Sequence, residues 1–234
     1  MALRSLWKGS IHFSLVSIQV QAYTAAEPGE GEIHFNQLHR PCNSRIKYIK
    51  TCPIHGPVEN SEIVSGYEYA KGQYVVFERD ELERDRGKSD RAINIDTFVA
   101  TDEIDPVYYD GRTFYLAPES AAAEKPYAVM CKALEKMDRY GVARIVLHGR
   151  DEIGLIRPLD GVLSMTMLHY QSQVRSPKLV ADEIATVKSS PQEQKLAEQL
   201  IAATTSDKFD FSQYQDTRTE KLKELVEAKI AGRE

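Results

Sequence analysis

The sequence predicts a mainly β fold with α-helices: an antiparallel barrel or sandwich followed by a helical C-terminal arm. Three observations carry this expectation. Short runs with strand-like patterning recur between Ser10 and Leu168, two Asp-Gly pairs fall among them, and near residue 176 helix signals replace strand signals. The expected division is a β core over residues 1–175 and an arm over residues 176–234.

The first strand signal is Ser10-Ile11-His12-Phe13-Ser14-Leu15-Val16-Ser17-Ile18-Gln19-Val20, where apolar and polar residues nearly alternate. Alternation of this kind is the period of a half-buried strand, and the Leu15-Val16 pair marks a bulge or bend within it. Further strands are expected at Tyr74–Phe77, Ala92–Ile95, Val107–Tyr109, Phe114–Leu116, Arg144–His148, Gly154–Arg157 and Val162–Leu168. Asp110-Gly111 and Asp160-Gly161 suit the positive φ angles of tight hairpin turns. One helix interrupts the β region. Pro126 is placed for its first turn and Gly141 for its stop, with Met130, Ala133, Leu134 and Met137 on an apolar face. Cys131 beside that face reads as a small packed thiol.

In the arm, Ser190-Pro191-Gln192-Glu193 is a capping box with proline at the first helical position, followed by a stripe of Leu196, Leu200 and Ile201. Thr217-Arg218-Thr219-Glu220 repeats the capping pattern, Leu222, Leu225, Val226 and Ile230 follow on one face, and Gly232 stops the helix. Between the helices, Phe209, Phe211 and Tyr214 need a surface to cover them. Two short helices cannot build a core of their own, so the arm is expected to dock on the barrel or on another chain.

The composition of the 234 residues, with 42% apolar and 28% charged, is that of an ordinary globular protein, and no stretch reaches the ~20 apolar residues of a membrane span. Residues 1–20 do not read as a secretory signal, so the expected location is the cytoplasm. No internal repeat or long low-complexity tract is visible.

The segment from Leu38 to Gly56 holds two clues to function. Arg40, Arg45, Lys47 and Lys50 lie between Ile33 and His55 with no acid among them, in a protein of formal charge −5. Focused positive charge of this kind attracts polyanions. The same segment carries His39-x₂-Cys42 and Cys52-x₂-His55, with nine residues between the cysteines. Ligand pairs two residues apart can hold one edge of a tetrahedral zinc site, and Pro53 and Gly56 favour a turn at the second pair. Two buried free thiols with two surface histidines, or a Cys42–Cys52 disulfide, are the alternatives; with three cysteines and no secretory signal the disulfide ranks last.

Catalytic motifs are lacking. There is no phosphate-binding Gly-x₄-Gly-Lys-Ser/Thr loop, no Gly-x-Ser-x-Gly elbow and no dinucleotide fingerprint, so the chain does not read as an enzyme. The run Glu78-Arg79-Asp80-Glu81-Leu82-Glu83-Arg84-Asp85 reads as a solvated helix face. His12, His148 and His169 read as hydrogen-bonded structural histidines, because none has a nucleophile and acid arranged around it.

The chain resembles prokaryotic Ku proteins, the DNA-end-binding factors of non-homologous end joining. Matching residues begin as Arg4-Ser5-Leu6-Trp7-Lys8-Gly9-Ser10-Ile11 with Phe13 and Leu15-Val16, then Phe35, Leu38-His39, Cys42 and Ser44-Arg45-Ile46. They continue as Glu62-Ile63-Val64, Gly66-Tyr67-Glu68-Tyr69, Gly72-Gln73-Tyr74-Val75-Val76, Ile95, Phe98-Val99, Ile104-Asp105-Pro106-Val107-Tyr108-Tyr109 and Tyr115-Leu116-Ala117-Pro118. The series closes with Phe209-Asp210, Tyr214, Asp216 and Glu227-Ala228-Lys229-Ile230-Ala231-Gly232, so it covers the whole chain in order.

The resemblance implies a Ku-type antiparallel β-barrel core, a bridge over the DNA at residues 33–64, a helical C-terminal dimerisation arm and a ring-shaped homodimer around double-stranded DNA ends. It implies DNA contacts from Arg4, Lys8, Arg40, Arg45, Lys47, Lys50, Arg144, Arg150, Arg175 and Lys178. A ring that loads on any broken end touches phosphates rather than base edges. One structural zinc per chain on His39, Cys42, Cys52 and His55 would stiffen a thin bridge. The family also implies a dedicated end-joining DNA ligase as partner. Members often carry a lysine-rich tail past the position of Gly232, whereas this sequence stops at Glu234. Two rival classes are a zinc-stabilised module for single-stranded DNA or RNA and a metal-dependent nuclease.

Overall fold

Seven strands close into a barrel in the order β1 (Trp7–Phe13), β2 (Val16–Thr24), β8 (Tyr109–Pro118), β11 (Val162–Leu168), β10 (Arg150–Leu159), β9 (Arg139–Leu147) and β7 (Ala92–Ala100). The structure is a computed structural model that describes residues 4–26, 33–78, 80–82, 91–147, 149–185, 187 and 189–232. Every seam is antiparallel except β1–β7, where Ser10, Ile11 and His12 run parallel to Ala92, Ile93 and Asn94. The parallel seam closes the barrel and leaves no free edge among these strands.

The inside is filled by Ile11, Ile18, Val20, Ile93, Leu116, Ala143, Ile145, Ile156, Leu163, Met165 and Met167. On β2 and β9 these side chains alternate with less buried neighbours, as the pleat demands, whereas β11 is buried on both faces from Leu163 to Leu168. The helix Ala121–Met137 packs against this core through Ala123, Tyr127, Met130, Cys131 and Leu134. Cys131 is buried, as a packed thiol should be, and burial pushes its pKa up.

Several local expectations change. The run Ser10–Val20 is two strands joined by a hairpin, not one strand with a bulge. Ser14 takes φ 49°, the positive value that a two-residue hairpin needs at its first turn position, and Leu15 at the tip is 99% exposed. Alternation survives a two-residue turn, which hides the turn from the pattern. Asp110-Gly111 makes no hairpin and lies inside β8. Gly111 at φ 87° and an Asp110 carboxylate that accepts from the Arg112 N–H at 2.8 Å shape a bulge instead. Val107 sits in a 3₁₀ turn, Pro106–Tyr108, capped by Asp105.

The helix begins at Ala121, so Pro126 lies inside it, and Asp138 in the left-handed conformation at φ 52° ends it before Gly141, which belongs to β9. Met137 and Ala133 are exposed while Ala123 and Tyr127 are buried, so the apolar face is rotated from the one expected. Asp160-Gly161 does form the β10–β11 hairpin, with φ angles of 47° and 83°.

Between β2 and β7 the described chain carries no large core. It holds a Leu38–Arg45 bridge, the short hairpin β3 (Thr51–Cys52) and β4 (Gly56–Pro57), and the ribbon β5 (Ser65–Ala70) and β6 (Gln73–Phe77). Tyr67, Tyr69, Tyr74, Val75 and Val76 on the ribbon are all exposed. Of the acidic run that follows, residues 79 and 83–85 lie outside the described residues, as does His148.

The chain divides into two compact units: residues 1–27 with 38–174, and residues 28–37 with 175–234. Residues 33–37, expected at the start of the bridge, thus group with the second unit. That unit contains the helices Pro191–Thr204 and Thr217–Ile230. Ser190 and Glu193 form the expected capping box, with Oγ accepting from the Glu193 N–H at 3.3 Å. The second helix is capped by Asp216 rather than Thr217: its carboxylate accepts from the Arg218 and Thr219 N–H groups, each at 3.2 Å. Phe209 packs on Phe211 and Tyr214 with ring centroids 4.7 and 5.3 Å apart, yet all three rings are exposed.

Candidate nucleic-acid interface

Arg40 occupies a turn that follows Leu38, and Arg45 lies opposite Leu38 in the isolated bridge pair. Lys47 and Lys50 follow on an extended segment, and all four side chains are exposed. Lys50 Nζ donates to Asn60 Oδ1 at 2.9 Å, which fixes where that ammonium stands without neutralising it. No carboxylate lies between residues 33 and 55, so the stretch keeps its charge. It is suited to a polyanion.

On the barrel, the expected cations stand in different electrostatic surroundings. Lys8 is paired to Glu119 at 3.0 Å, and Arg144 is held by Asp96 through bonds of 2.7 and 2.9 Å. The Arg144 hydrogen bond holds the Asp96 carboxyl below its usual range. A phosphate reaching either cation competes with a carboxylate already there. Arg4 and Arg150 are exposed on the same unit, whereas Arg175 and Lys178 belong to the second unit, where Lys178 opens the short helix Lys178–Ala181.

The four metal-ligand candidates are arranged as two pairs. His39 Nδ1 is 3.1 Å from Cys42 Sγ, and His55 Nδ1 is 3.6 Å from Cys52 Sγ. Tetrahedral zinc with bonds of about 2.0–2.3 Å separates its ligands by roughly 3.5–3.8 Å, so each pair approximates one edge of such a site. Hydrogen bonds from Ser44, side chain first and then backbone, lower the Cys42 pKa, and backbone hydrogen bonds from His55 and then Ile54 lower that of Cys52.

The expected convergence of all four does not occur: among the described residues no three His, Cys, Asp or Glu side chains form a metal-holding group. Each turn is closed by its own bonds, such as Asn43 N–H to His39 O at 2.7 Å and the Cys52–Gly56 pairing. Cys42, Cys52 and Cys131 are all free thiols.

The description "Ku70/Ku80 beta-barrel domain" belongs to the family model that matches residues 12–198. The chain belongs to the Ku family. A curated non-homologous end joining protein Ku from Symbiobacterium thermophilum is 39% identical over 99% of this chain and 56% of its own length. Those from Heliobacterium modesticaldum and Archaeoglobus fulgidus are 36% and 35% identical over 99% of this chain, and over 83% and 90% of their own lengths. This chain therefore spans little more than half of the first of these relatives. Among solved structures, the SPOC domain of human PHD-finger protein 3 matches with a TM-score of 0.35 at 14% identity, over 71% of this chain and 97% of that one, too distant to bear on function.

Sequence reasoning missed one cation of this Ku barrel. Arg91 directly precedes β7, and its carbonyl accepts from the Ser10 N–H at 2.8 Å across the parallel seam, on the side of the barrel that carries Lys8. The two residues are far apart in sequence, and only the barrel's closure juxtaposes them. No helix among the described residues is long and apolar enough to cross a membrane.

Proposed function

We propose that this chain binds double-stranded DNA ends independently of sequence, as a ring-shaped homodimer in the cytoplasm or on the nucleoid, and that it recruits an end-joining DNA ligase. The observation that carries the reading is the stretch Arg40, Arg45, Lys47 and Lys50, exposed and acid-free within a chain of net charge −5. Positive charge undiluted by acids over one stretch of a negative protein favours a phosphate-lined path there. Family membership supports the same reading.

The test is topology. A linear duplex of any sequence and end shape is expected to bind, with retention falling steeply as salt rises, whereas covalently closed circles of the same length are not threaded. Equal affinity for linear and closed circular DNA would falsify the ring. A second reading, stacking on single strands, draws on the exposed Tyr48, Tyr67, Tyr69 and Tyr74. It predicts preference for single-stranded over duplex DNA in the same assay.

The homodimer reading rests on exposed apolar surface. Leu196, Leu200, Ile201, Leu225, Ile230, Phe209, Phe211 and Tyr214 are exposed on the second unit, a set that a lone chain in water would leave wet. Light scattering at micromolar concentration is expected to return twice the chain mass of 26.5 kDa; the monomer mass would refute this.

Zinc remains part of the proposal. One ion per chain would be held by His39, Cys42, Cys52 and His55, drawing the two half-sites together and stiffening the segment. Metal analysis of purified protein is expected to find one zinc per chain, lost in the Cys42→Ser variant together with part of the DNA retention. The barrel should unfold as before, because Cys42 is exposed and remote from its core. Protein that purifies without zinc, and binds DNA as well with Cys42→Ser as without it, removes the metal from the mechanism.

A further inference from the structure

A polar cleft of about 510 Å³ lies on the outer face of the β7–β1–β2 strands. The strand pairing builds it. Lys8, Ser10 and His12 alternate with the inward Ile11 along β1, Ser10 stands opposite Gln19 on β2, and His12 stands opposite Asn94 across the parallel seam. Arg91 completes the lining. The set is rich in donors: an ammonium, a guanidinium, a hydroxyl, an imidazole and two carboxamides.

The cleft also contains Glu119, whose carboxylate holds the Lys8 ammonium at 3.0 Å. That pair cancels, and Arg91 leaves the cleft with one net positive charge. Ser10 Oγ is 2.6 Å from His12 Nε2. With the ring proton on Nε2, the imidazole donates to Ser10, and the Ser10 O–H is then available to donate outward to an oxyanion.

The floor is rigid. The Ser10 N–H holds the Arg91 carbonyl at 2.8 Å, and a Cβ on Gly9 would stand 2.1 Å from that same carbonyl and 2.2 Å from the Trp7 ring. Only glycine lets β1 approach Arg91 this closely. Donors fixed on a barrel wall lose little freedom on binding, which favours capture of a small anion.

We propose that this cleft is a phosphate subsite, in which Arg91 and Ser10 donate to a tetrahedral phosphate of a nucleic-acid strand. The inference rests on the reading of the chain as a DNA-end binder and adds a place on the barrel wall where one phosphate is held. The shared chemistry is the phosphate oxyanion, whether an internucleotide diester or a terminal monoester.

The experiment has two arms on the full chain. In the first, inorganic phosphate is titrated while the His12 ring and Arg91 Nε–H resonances are followed by NMR. A saturable response is expected, weakened about tenfold in Arg91→Gln, as when one charge-assisted hydrogen bond is removed. It should vanish in Asn94→Asp, which places a carboxylate at an exposed position in the cleft. An unsaturable response, or equal curves in all three proteins, overturns the site.

In the second arm, the three proteins bind linear duplexes with 5′-phosphate or 5′-hydroxyl ends over a range of salt. An internucleotide phosphate in the cleft makes the log–log salt slope of Arg91→Gln shallower by about 0.9. A terminal phosphate instead makes the unsubstituted chain prefer 5′-phosphorylated ends, a preference lost in Arg91→Gln. Binding of inorganic phosphate with neither DNA effect overturns the assignment to a strand. If the unsubstituted chain retains linear duplex but not circles while the variants match it in every measurement, the subsite alone falls. If it retains neither, the end-binding reading falls.

Discussion

Replacing Arg40, Arg45, Lys47 and Lys50 together by glutamine is expected to remove most retention of linear duplex DNA near physiological salt. The reason is the counterion atmosphere of DNA. Each phosphate neutralised by a protein cation releases bound counterions, and log affinity then falls with log salt by about 0.9 per neutralised phosphate. With four cations removed, the slope should become shallower by about 3.6 and binding should weaken on every sequence alike, because phosphate recognition carries no base information. Fold stability should not change, since all four side chains are exposed and the Lys50 bond to Asn60 joins two exposed residues of this segment. A salt slope altered by less than one phosphate's worth would show that the stretch does not line the DNA. A uniform loss with unchanged thermal unfolding would assign it.

Tyr127→Phe is expected to be the most damaging conservative change in the barrel. The Tyr127 hydroxyl donates to the Leu116 carbonyl at 2.5 Å and accepts from the Leu163 N–H at 2.7 Å. Leu116 and Leu163 are register partners on β8 and β11, both fully buried, so the hydroxyl enters the ladder between two strands and ties the helix to it. Burial pushes its pKa up to about 12, so it stays a neutral donor throughout the usable pH range. Phenylalanine keeps the ring and its packing but leaves an N–H and a C=O without a partner where water has no access. At about 1–3 kcal/mol for each of the two orphaned groups, a loss of about 2–6 kcal/mol follows, or a fall in Tm of roughly 4–24 °C for a chain of this size. Thermal unfolding within about two degrees of the unsubstituted protein would mean that water or backbone relaxation replaces the hydroxyl.

These two variants probe what the sequence declares most and least openly. The basic stretch is legible because its charges are close together in the chain and the acids are excluded from it. The Tyr127 bridge is not legible: nothing near Tyr127 names Leu116 or Leu163 as its partners. The paired cations follow the same rule. Lys8 and Arg144 read as available positive charge until closure of the barrel brings Glu119 beside one and Asp96 beside the other. The metal pattern shows the limit from another side. Spacing of two residues dictates each His–Cys pair, because a single turn satisfies it, but no spacing dictates that two turns meet.

Local chemistry settled much of the rest. Val162–Leu168 is a strand as read, Asp160-Gly161 a hairpin, and Ser190 with Glu193 a capping box, because each depends on neighbours within a few residues. The errors arose where tertiary context overrode a local sign. Asp110-Gly111 has the residues of a hairpin turn, yet the ladder to β11 holds it in a bulge. Pro126 suits a first helical turn, yet burial of Ala123 and Tyr127 against the barrel extends the helix backward past it. The sequence by itself determined the β class, the basic stretch, the two His–Cys pairs and the amphipathic arm, since periodicity, charge and capping act over a few residues. Only the tertiary structure decided the barrel's closure through a parallel seam, the partners of Lys8 and Arg144, and the place of Arg91. Those depend on which distant strands become neighbours, and that choice is made by the burial of the whole core at once.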